Sequence, residues 1–306
     1  MMRFVLRRLL GIVPPLFVVA TLLFFLLRLV PGGPFDTERA VPPEVLRALE
    51  QKYHLDQPVL RQYADWLLAL VVRGDLGPSF RYPNRTVGEI VALSLPTSMQ
   101  LGALGLLFAL AFGIPLGMLG AVRHNTRTDT AAMAVALLGL SVPRFVLAPL
   151  CVLLFSLTLY WLPVARWESW RHMVLPVLCA GLPVGATIAR LMRAGMLEVL
   201  GLDFVRTARA KGLSEARVLL RHALRGGLVP VVSYLGPAAS SLLVGSVVIE
   251  KIFDVPGMGR YFIEAALNRD YNLVLGVTLV YGVLLMLFNA AVDVAYGLLD
   301  PRVRQQ

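Results

Sequence analysis

The densest cluster of charged and hydroxyl side chains is Asp203-Phe204-Val205-Arg206-Thr207-Ala208-Arg209-Ala210-Lys211-Gly212-Leu213-Ser214-Glu215, followed by Arg217, Arg221, His222 and Arg225. Its chemistry is that of a basic recognition surface. The pattern predicts a helix stopped at Gly212 and a second helix capped by Ser214. On the second, Val218, Leu219 and Ala223 can face a packed interior while Arg217, Arg221 and Arg225 face lipid headgroups or a partner. A basic interfacial helix pair without a partner fits the same residues.

Other chemistries find little support. A transport ATPase needs a glycine-rich phosphate loop followed by a lysine and a hydroxyl residue. The three lysines, Lys52, Lys211 and Lys251, sit in no such loop. Energy from ATP and its magnesium would therefore enter through another subunit, and no cofactor is expected in this chain. An intramembrane hydrolase needs a nucleophile with a base at its depth, paired carboxylates or a metal cluster. His54, His124, His172 and His222 all fall outside the apolar runs, so Ser141 reads as packing. Cys151 and Cys179 lie within apolar runs with neither disulfide-framework nor zinc spacing, and also read as packing. Ion-coupled carriers keep ionisable groups in mid-membrane. Here there are Arg28 near an outer end, Arg144 by a kink, Glu250 at an edge and Asp293 near an inner end, the last read as a helix-end residue pairing with a nearby Arg.

The elements that position these residues are set by composition. The 306 residues are 57% hydrophobic and 16% charged, with a mean hydropathy of +0.71, whereas soluble domains are about 45–50% apolar and about 25% charged. A helix crossing the ~30 Å hydrocarbon layer takes about 20 apolar residues. Runs of that kind occur at Leu9 to Val30, Leu95 to Val122, Thr130 to Leu159, Met173 to Met192, Leu228 to Ile249 and Leu273 to Leu299. They predict an all-α polytopic membrane protein with six transmembrane helices. Pro143, Arg144 and Pro149 interrupt the third run, which reads as one kinked helix because either piece alone is too short to cross. The first reads as an uncleaved span.

The net charge of +10 comes in short clusters between apolar runs, a pattern of membrane topology and not of nucleic-acid binding. Arg3, Arg7 and Arg8 place the N-terminus inside. Arg123 with Arg127, the cluster from Arg190 to Arg225, and Arg302 with Arg304 then share that side, so both termini are expected in the cytoplasm. Trp161, Trp167 and Trp170 suit the opposite interface. The extracytoplasmic segment between Phe35 and Ser94 predicts two short helices, one beginning at Pro42-Pro43-Glu44 and one carrying Leu60, Tyr63, Trp66, Leu67 and Leu70, as a small cap on the spans. On span five, Ser233, Ser240 and Ser241 share a side with Pro237, and Tyr234 adjoins them. Both the lining of an aqueous route and close helix packing account for them. Gly113 and Gly117 read as close packing, and Pro256-Gly257-Met258-Gly259 as an outer turn.

Arg206-Thr207-Ala208-Arg209-Ala210-Lys211-Gly212-Leu213-Ser214-Glu215 resembles the coupling loop of binding-protein-dependent ABC importer permeases, in the branch serving oligopeptides, dipeptides and nickel. The resemblance covers nearly the whole chain. It includes Pro31 to Phe35, Lys52-Tyr53-His54-Leu55, Gly74 to Phe80, Glu250-Lys251-Ile252-Phe253, Pro256 to Gly259, Asn268-Arg269-Asp270-Tyr271 and Asp300-Pro301-Arg302. Within the branch it is most similar to B-type oligopeptide permeases. The general family loop opens on Glu-Ala-Ala and has Leu-Pro after its glycine; here Arg206-Thr207-Ala208 opens it and the next proline is Pro230.

The resemblance implies the ABC importer type I permease fold. It assigns residues 1–30 to the N-terminal tail and first helix, 31–93 to an extracytoplasmic segment, 94–293 to the transmembrane core with its coupling loop at 197–227, and 294–306 to the end of the last helix and a cytoplasmic tail. It further implies ATP-driven oligopeptide uptake across the bacterial inner membrane. The partners would be a second homologous permease, two ATP-binding subunits and an extracytoplasmic peptide-binding protein, with membrane lipid around the spans. Arg206, Thr207, Ala208, Lys211, Gly212, Leu213, Ser214 and Glu215 would face an ATPase. Ser233, Tyr234, Ser240 and Ser241 are the candidate path residues.

Overall fold

The computed structural model describes residues 10–30, 32–35 and 42–299. In lipid every backbone N–H and C=O must find its partner within the segment, which favours helices. The named elements among the described residues are accordingly all helical, with one isolated β-bridge between Pro78 and Thr86.

They are α1 (Val13–Leu29), α2 (Pro43–Lys52), α3 (Val59–Arg73), α4 (Val87–Val122), α5 (Arg127–Ser141), α6 (Arg144–Cys151) continuing as a π-helical stretch (Val152–Thr158), and α7 (Trp170–Leu200). After these come α8 (Asp203–Ala210), α9 (Glu215–Arg217), a second π-helical stretch (Val218–Ala223), α10 (Leu224–Gly227), α11 (Val229–Ile252), α12 (Met258–Leu267) and α13 (Tyr271–Leu299). Helices α4, α7, α11 and α13 are long and apolar enough to cross a membrane. The broken pair Arg127–Ser141 and Arg144–Thr158 makes a fifth if counted as one, and α1 is apolar but has 17 residues.

Two of these differ from the sequence expectation. Helix α4 begins at Val87 rather than Leu95 because Thr86 and Glu89 form a capping box: Glu89 N–H donates to Thr86 Oγ1 at 3.2 Å and Thr86 N–H to Glu89 Oε2 at 3.0 Å. The third run is a break, not a kink. Val142, held extended before Pro143, ends α5; α6 starts after Pro143 at an angle of 104°.

The described residues fall into two compact units, one drawn from Met1–Ser98 and Pro256–Leu287, the other from Met99–Val255 and Phe288–Gln306. In the first, Ala20 and Phe24 of α1, Trp66 of α3, and Leu275 and Leu279 of α13 make the core. Helix α3 lies along α1. Tyr63 meets Phe24 with ring centroids 5.1 Å apart, its hydroxyl is 2.7 Å from Thr21 Oγ1, and Arg28 Nε donates to Gln62 Oε1 at 3.1 Å.

In the second unit α7 is the central helix, packing on α5, α6, α10 and α11. Its small residues allow backbones to meet. A Cβ on Gly113 would stand 2.5 Å from Gly185 O, and one on Gly181 2.6 Å from Gly105 O, so α4 and α7 touch backbone to backbone. Lipid supplies little hydrophobic drive between helices, so such close van der Waals contact holds them together. Leu175, Ile188, Met192, Met196, Leu242 and Ile249 fill the interior around it.

Candidate functional site

The loop at 203–227 leaves the end of α7 and folds by local chemistry. Helix α8 carries Val205 and Ala208 on one side, both buried in the core with Val218 and Ala223. At its end Gly212 takes φ +76°, a conformation that suits glycine. Gly212 N–H donates to Arg209 O at 2.9 Å and Leu213 N–H to Ala208 O at 3.4 Å. Those two bonds make a Schellman ending, satisfying carbonyls that the helix leaves open. A Cβ on Gly212 would meet nothing within 4 Å, so backbone conformation, not crowding, selects glycine there.

Glycine ends the helix where the sequence predicts, but Ser214 behaves differently. It occupies the cap position of α9 without a side-chain hydrogen bond. The turn is held instead by Arg209, whose Nη2 and Nε lie 2.6 and 3.1 Å from the Glu215 carboxylate. That bond holds the Glu215 carboxyl below its ordinary range and raises the Arg209 guanidinium.

Phe204, Arg206, Thr207, Lys211, Gly212, Ser214 and Glu215 are exposed, Arg206 by 72% of its side chain; Leu213 is half-buried, and Ala208 is turned inward. Arg217, Arg221 and Arg225 are exposed while Val218 and Ala223 are buried, the two-sided arrangement expected. The presented face is therefore basic and hydroxylic around one aromatic ring, Phe204.

A part-buried ion pair braces α7 seven residues before its end. Arg193 on α7 makes two 2.7 Å bonds to Asp129 in the first turn of α5, and Asn125 N–H donates to the same carboxylate at 3.0 Å. His124 Nδ1 stands 3.4 Å from Asp129. In the sequence the basic residues here read as topology signals, and the pair itself leaves no local signal because Asp129 and Arg193 lie 64 positions apart.

The candidate path residues on α11 separate by environment. Ser233 is exposed and donates to Val229 O at 2.8 Å, Tyr234 is half-buried against the core, and Ser241 Oγ donates to Ala238 O at 3.1 Å. Ser240 is buried, its Oγ without a hydrogen-bond partner among the described residues. Arg144, at the start of α6, donates from Nη1 to Ser241 O at 3.2 Å.

The first unit holds a different cluster. Asp270, fully buried before α13, accepts hydrogen bonds from Ser79 Oγ and from the N–H groups of Phe80, Arg81 and Leu273. Asn272 Nδ2 donates to Pro78 O at 3.0 Å, and Tyr82 Oη to Glu264 Oε2 at 2.8 Å. Burial and that bond push the Tyr82 hydroxyl up to about 12. Among the described residues no three His, Cys, Asp or Glu are grouped to hold a metal.

Residues 113–305 match the family described as binding-protein-dependent transport system inner membrane component, and residues 1–101 match its N-terminal membrane component. The chain belongs to this family. It is therefore a multi-pass permease component of an inner-membrane transport system and does not carry the system's ATPase.

Among its relatives, the oligopeptide transport system permease protein OppB of Salmonella typhimurium is 48% identical, over 99% of this chain and 100% of that protein. OppB of Haemophilus influenzae is 47% identical with the same coverage. The dipeptide transport system permease protein DppB of Bacillus subtilis is 42% identical, over 99% and 98%. The fold also matches that of the inward-facing MetNI methionine ABC transporter at a TM-score of 0.57 and 16% identity, covering 71% of this chain and 95% of that one. The architecture is the ABC importer permease fold.

Proposed function

We propose that this permease takes up oligopeptides, forming half of a translocation path in a complex with a second homologous permease, two ATP-binding subunits and an extracytoplasmic peptide-binding protein. The observation that carries the coupling role is the exposed, Schellman-closed helix Asp203–Ala210, which leaves the end of α7 as a short rigid body. Seated in a groove of an ATP-binding subunit, it would pass nucleotide-driven closure to α7 as a rigid-body movement. Arg206, Thr207, Lys211, Gly212, Leu213, Ser214 and Glu215 are its contact residues, with Ala208 behind them holding the helix to the core. Identity of 46–48% over nearly the full length with oligopeptide permeases supports the substrate class.

In this reading α1 and the broken pair count with the four long helices as six spans. Both termini and the 203–227 loop lie in the cytoplasm. Residues 31–93 are extracytoplasmic and 94–293 form the transmembrane core. The serines and Tyr234 of α11 line part of the path, which would complete itself against the second permease.

The test is uptake of a labelled oligopeptide into vesicles containing the complete assembly. Uptake that requires ATP, the ATP-binding subunits and the binding protein is expected. Uptake by this chain alone on an ion gradient would overturn the reading in favour of a secondary carrier.

A further inference from the structure

We infer that Arg144 is a carboxylate-binding, specificity-determining residue of the translocation path, which engages the peptide's C-terminal carboxylate as it passes α11. The inference rests on the peptide-permease reading above. Its partner Ser241 lies at the middle of α11, twelve residues from Val229 and eleven from Ile252. At a rise of 1.5 Å per residue both ends are roughly 17 Å away, which is the mid-depth of a ~30 Å hydrocarbon layer. A guanidinium at that depth is costly unless it serves a path or a partner.

The surroundings leave it work to do. A guanidinium has five N–H donors and accepts a carboxylate on two of them side by side. Arg144 uses Nη1 on Ser241 O, and among the described residues no Asp or Glu pairs with it. Tyr234 lies two turns from Ser241 on the same face of α11. Ser240, next to Ser241, has a buried hydroxyl oxygen with no hydrogen-bond partner among the described residues.

The chain break supports the same end. Arg144 stands at the first position of α6, where a helix presents unpaired N–H groups and the positive end of its dipole. A cation is disfavoured at that end of a helix, and an anion is favoured. Arg144 at the start of a broken helix, beside the polar face of α11, thus makes a positively charged step in a span without a resident counter-charge among the described residues. Broken helices in other membrane carriers aim such ends at anionic substrate groups.

The test compares a peptide without acidic side chains as its free acid and as its C-terminal amide, each supplied to the complete assembly on saturating, fully loaded binding protein. The native assembly is expected to translocate the acid about tenfold faster than the amide. Arg144→Gln, which keeps a donor for Ser241 O but removes the charge, is expected to reduce that preference to about twofold or less, while Arg144→Lys, which keeps the charge but not the side-by-side donors, is expected to fall between the two. An amide carrying one internal Glu separates the sources. Slow uptake of it assigns the site to the terminal carboxylate, and fast uptake widens the site to carboxylates in general and overturns the terminal assignment. No acid-over-amide preference in the native assembly, or an unchanged preference in Arg144→Gln whatever its absolute rate, overturns the inference. If no peptide enters in an ATP-dependent way in the native assembly, it is the underlying peptide-permease reading that fails.

Discussion

The loop at 203–215 and the Asp270 cluster are both turns that end or begin a helix, and they are held in opposite ways. In the loop, a glycine at φ +76° and hydrogen bonds between residues three to six apart close the turn in the open. Around Asp270, one buried carboxylate gathers donors from residues 79 to 81, about 190 positions away in sequence. A turn built from its own neighbours can be presented to a partner without losing its form. A turn built across the chain cannot be disturbed without loosening the helices that meet there.

Breaking the second kind of turn is expected to have the largest effect on stability. Asp270→Asn places an amide group among N–H donors and removes the charge, at a cost of about 3 kcal/mol. Thermal unfolding of the purified complex in detergent should show it as a lowered midpoint and reduced yield. An unchanged midpoint would mean the buried carboxylate contributes nothing net.

Next comes the ion pair that braces α7. Asp129→Asn leaves Arg193 partly exposed and able to hydrate, so about 2 kcal/mol is expected, less than at Asp270. Because Arg193 lies near the end of α7 from which the loop emerges, peptide uptake should fall more than assembly does. Uptake and co-purification of the subunits, measured on one preparation, separate the two.

The smallest effect belongs to the exposed pair in the loop. Glu215→Gln removes the Arg209 bridge, and exposed pairs contribute less than about 1 kcal/mol. The Glu215 carboxyl is held below its ordinary range by Arg209, so the bridge contributes fully above the ordinary carboxylate pKa of about 4.3 and is lost as pH falls through the lowered value. Loop mobility, followed by a spin label at Thr207→Cys, should be flat from pH 8 to about pH 5 and rise only in stronger acid. A rise near neutral pH would contradict the assignment.

The same comparison explains what the sequence reveals. Gly212, the two-sided pattern of Val218 and Ala223 against Arg217, Arg221 and Arg225, the short helix after Pro42 and the one carrying Leu60, Tyr63 and Trp66 are legible because their causes lie within a few residues. So is the close approach at Gly113. The capping box at Thr86 and Glu89 is equally local, but hydropathy alone starts the span where the apolar run begins. Val142-Pro143 was ambiguous in kind, since a proline both kinks and ends helices, and only packing against α7 and α11 decides. Asp129 with Arg193 and Ser79 with Asp270 leave no local trace. Ala208 was expected on the partner-facing surface and lies behind it because helical spacing aligns it with Val205.

The central claim is that α8 is a rigid coupling element whose form depends on its glycine-closed end. The most direct measurement is the ratio of peptide taken up to ATP hydrolysed in the complete reconstituted assembly, native against Gly212→Pro. Proline fixes φ near −65° and lacks the N–H that Gly212 gives to Arg209 O, so the Schellman ending cannot form. The expected result is an assembled complex that hydrolyses ATP while its uptake per ATP falls about tenfold, equivalent to about 1.4 kcal/mol of lost coupling. An unchanged ratio in an assembled Gly212→Pro complex would contradict the account.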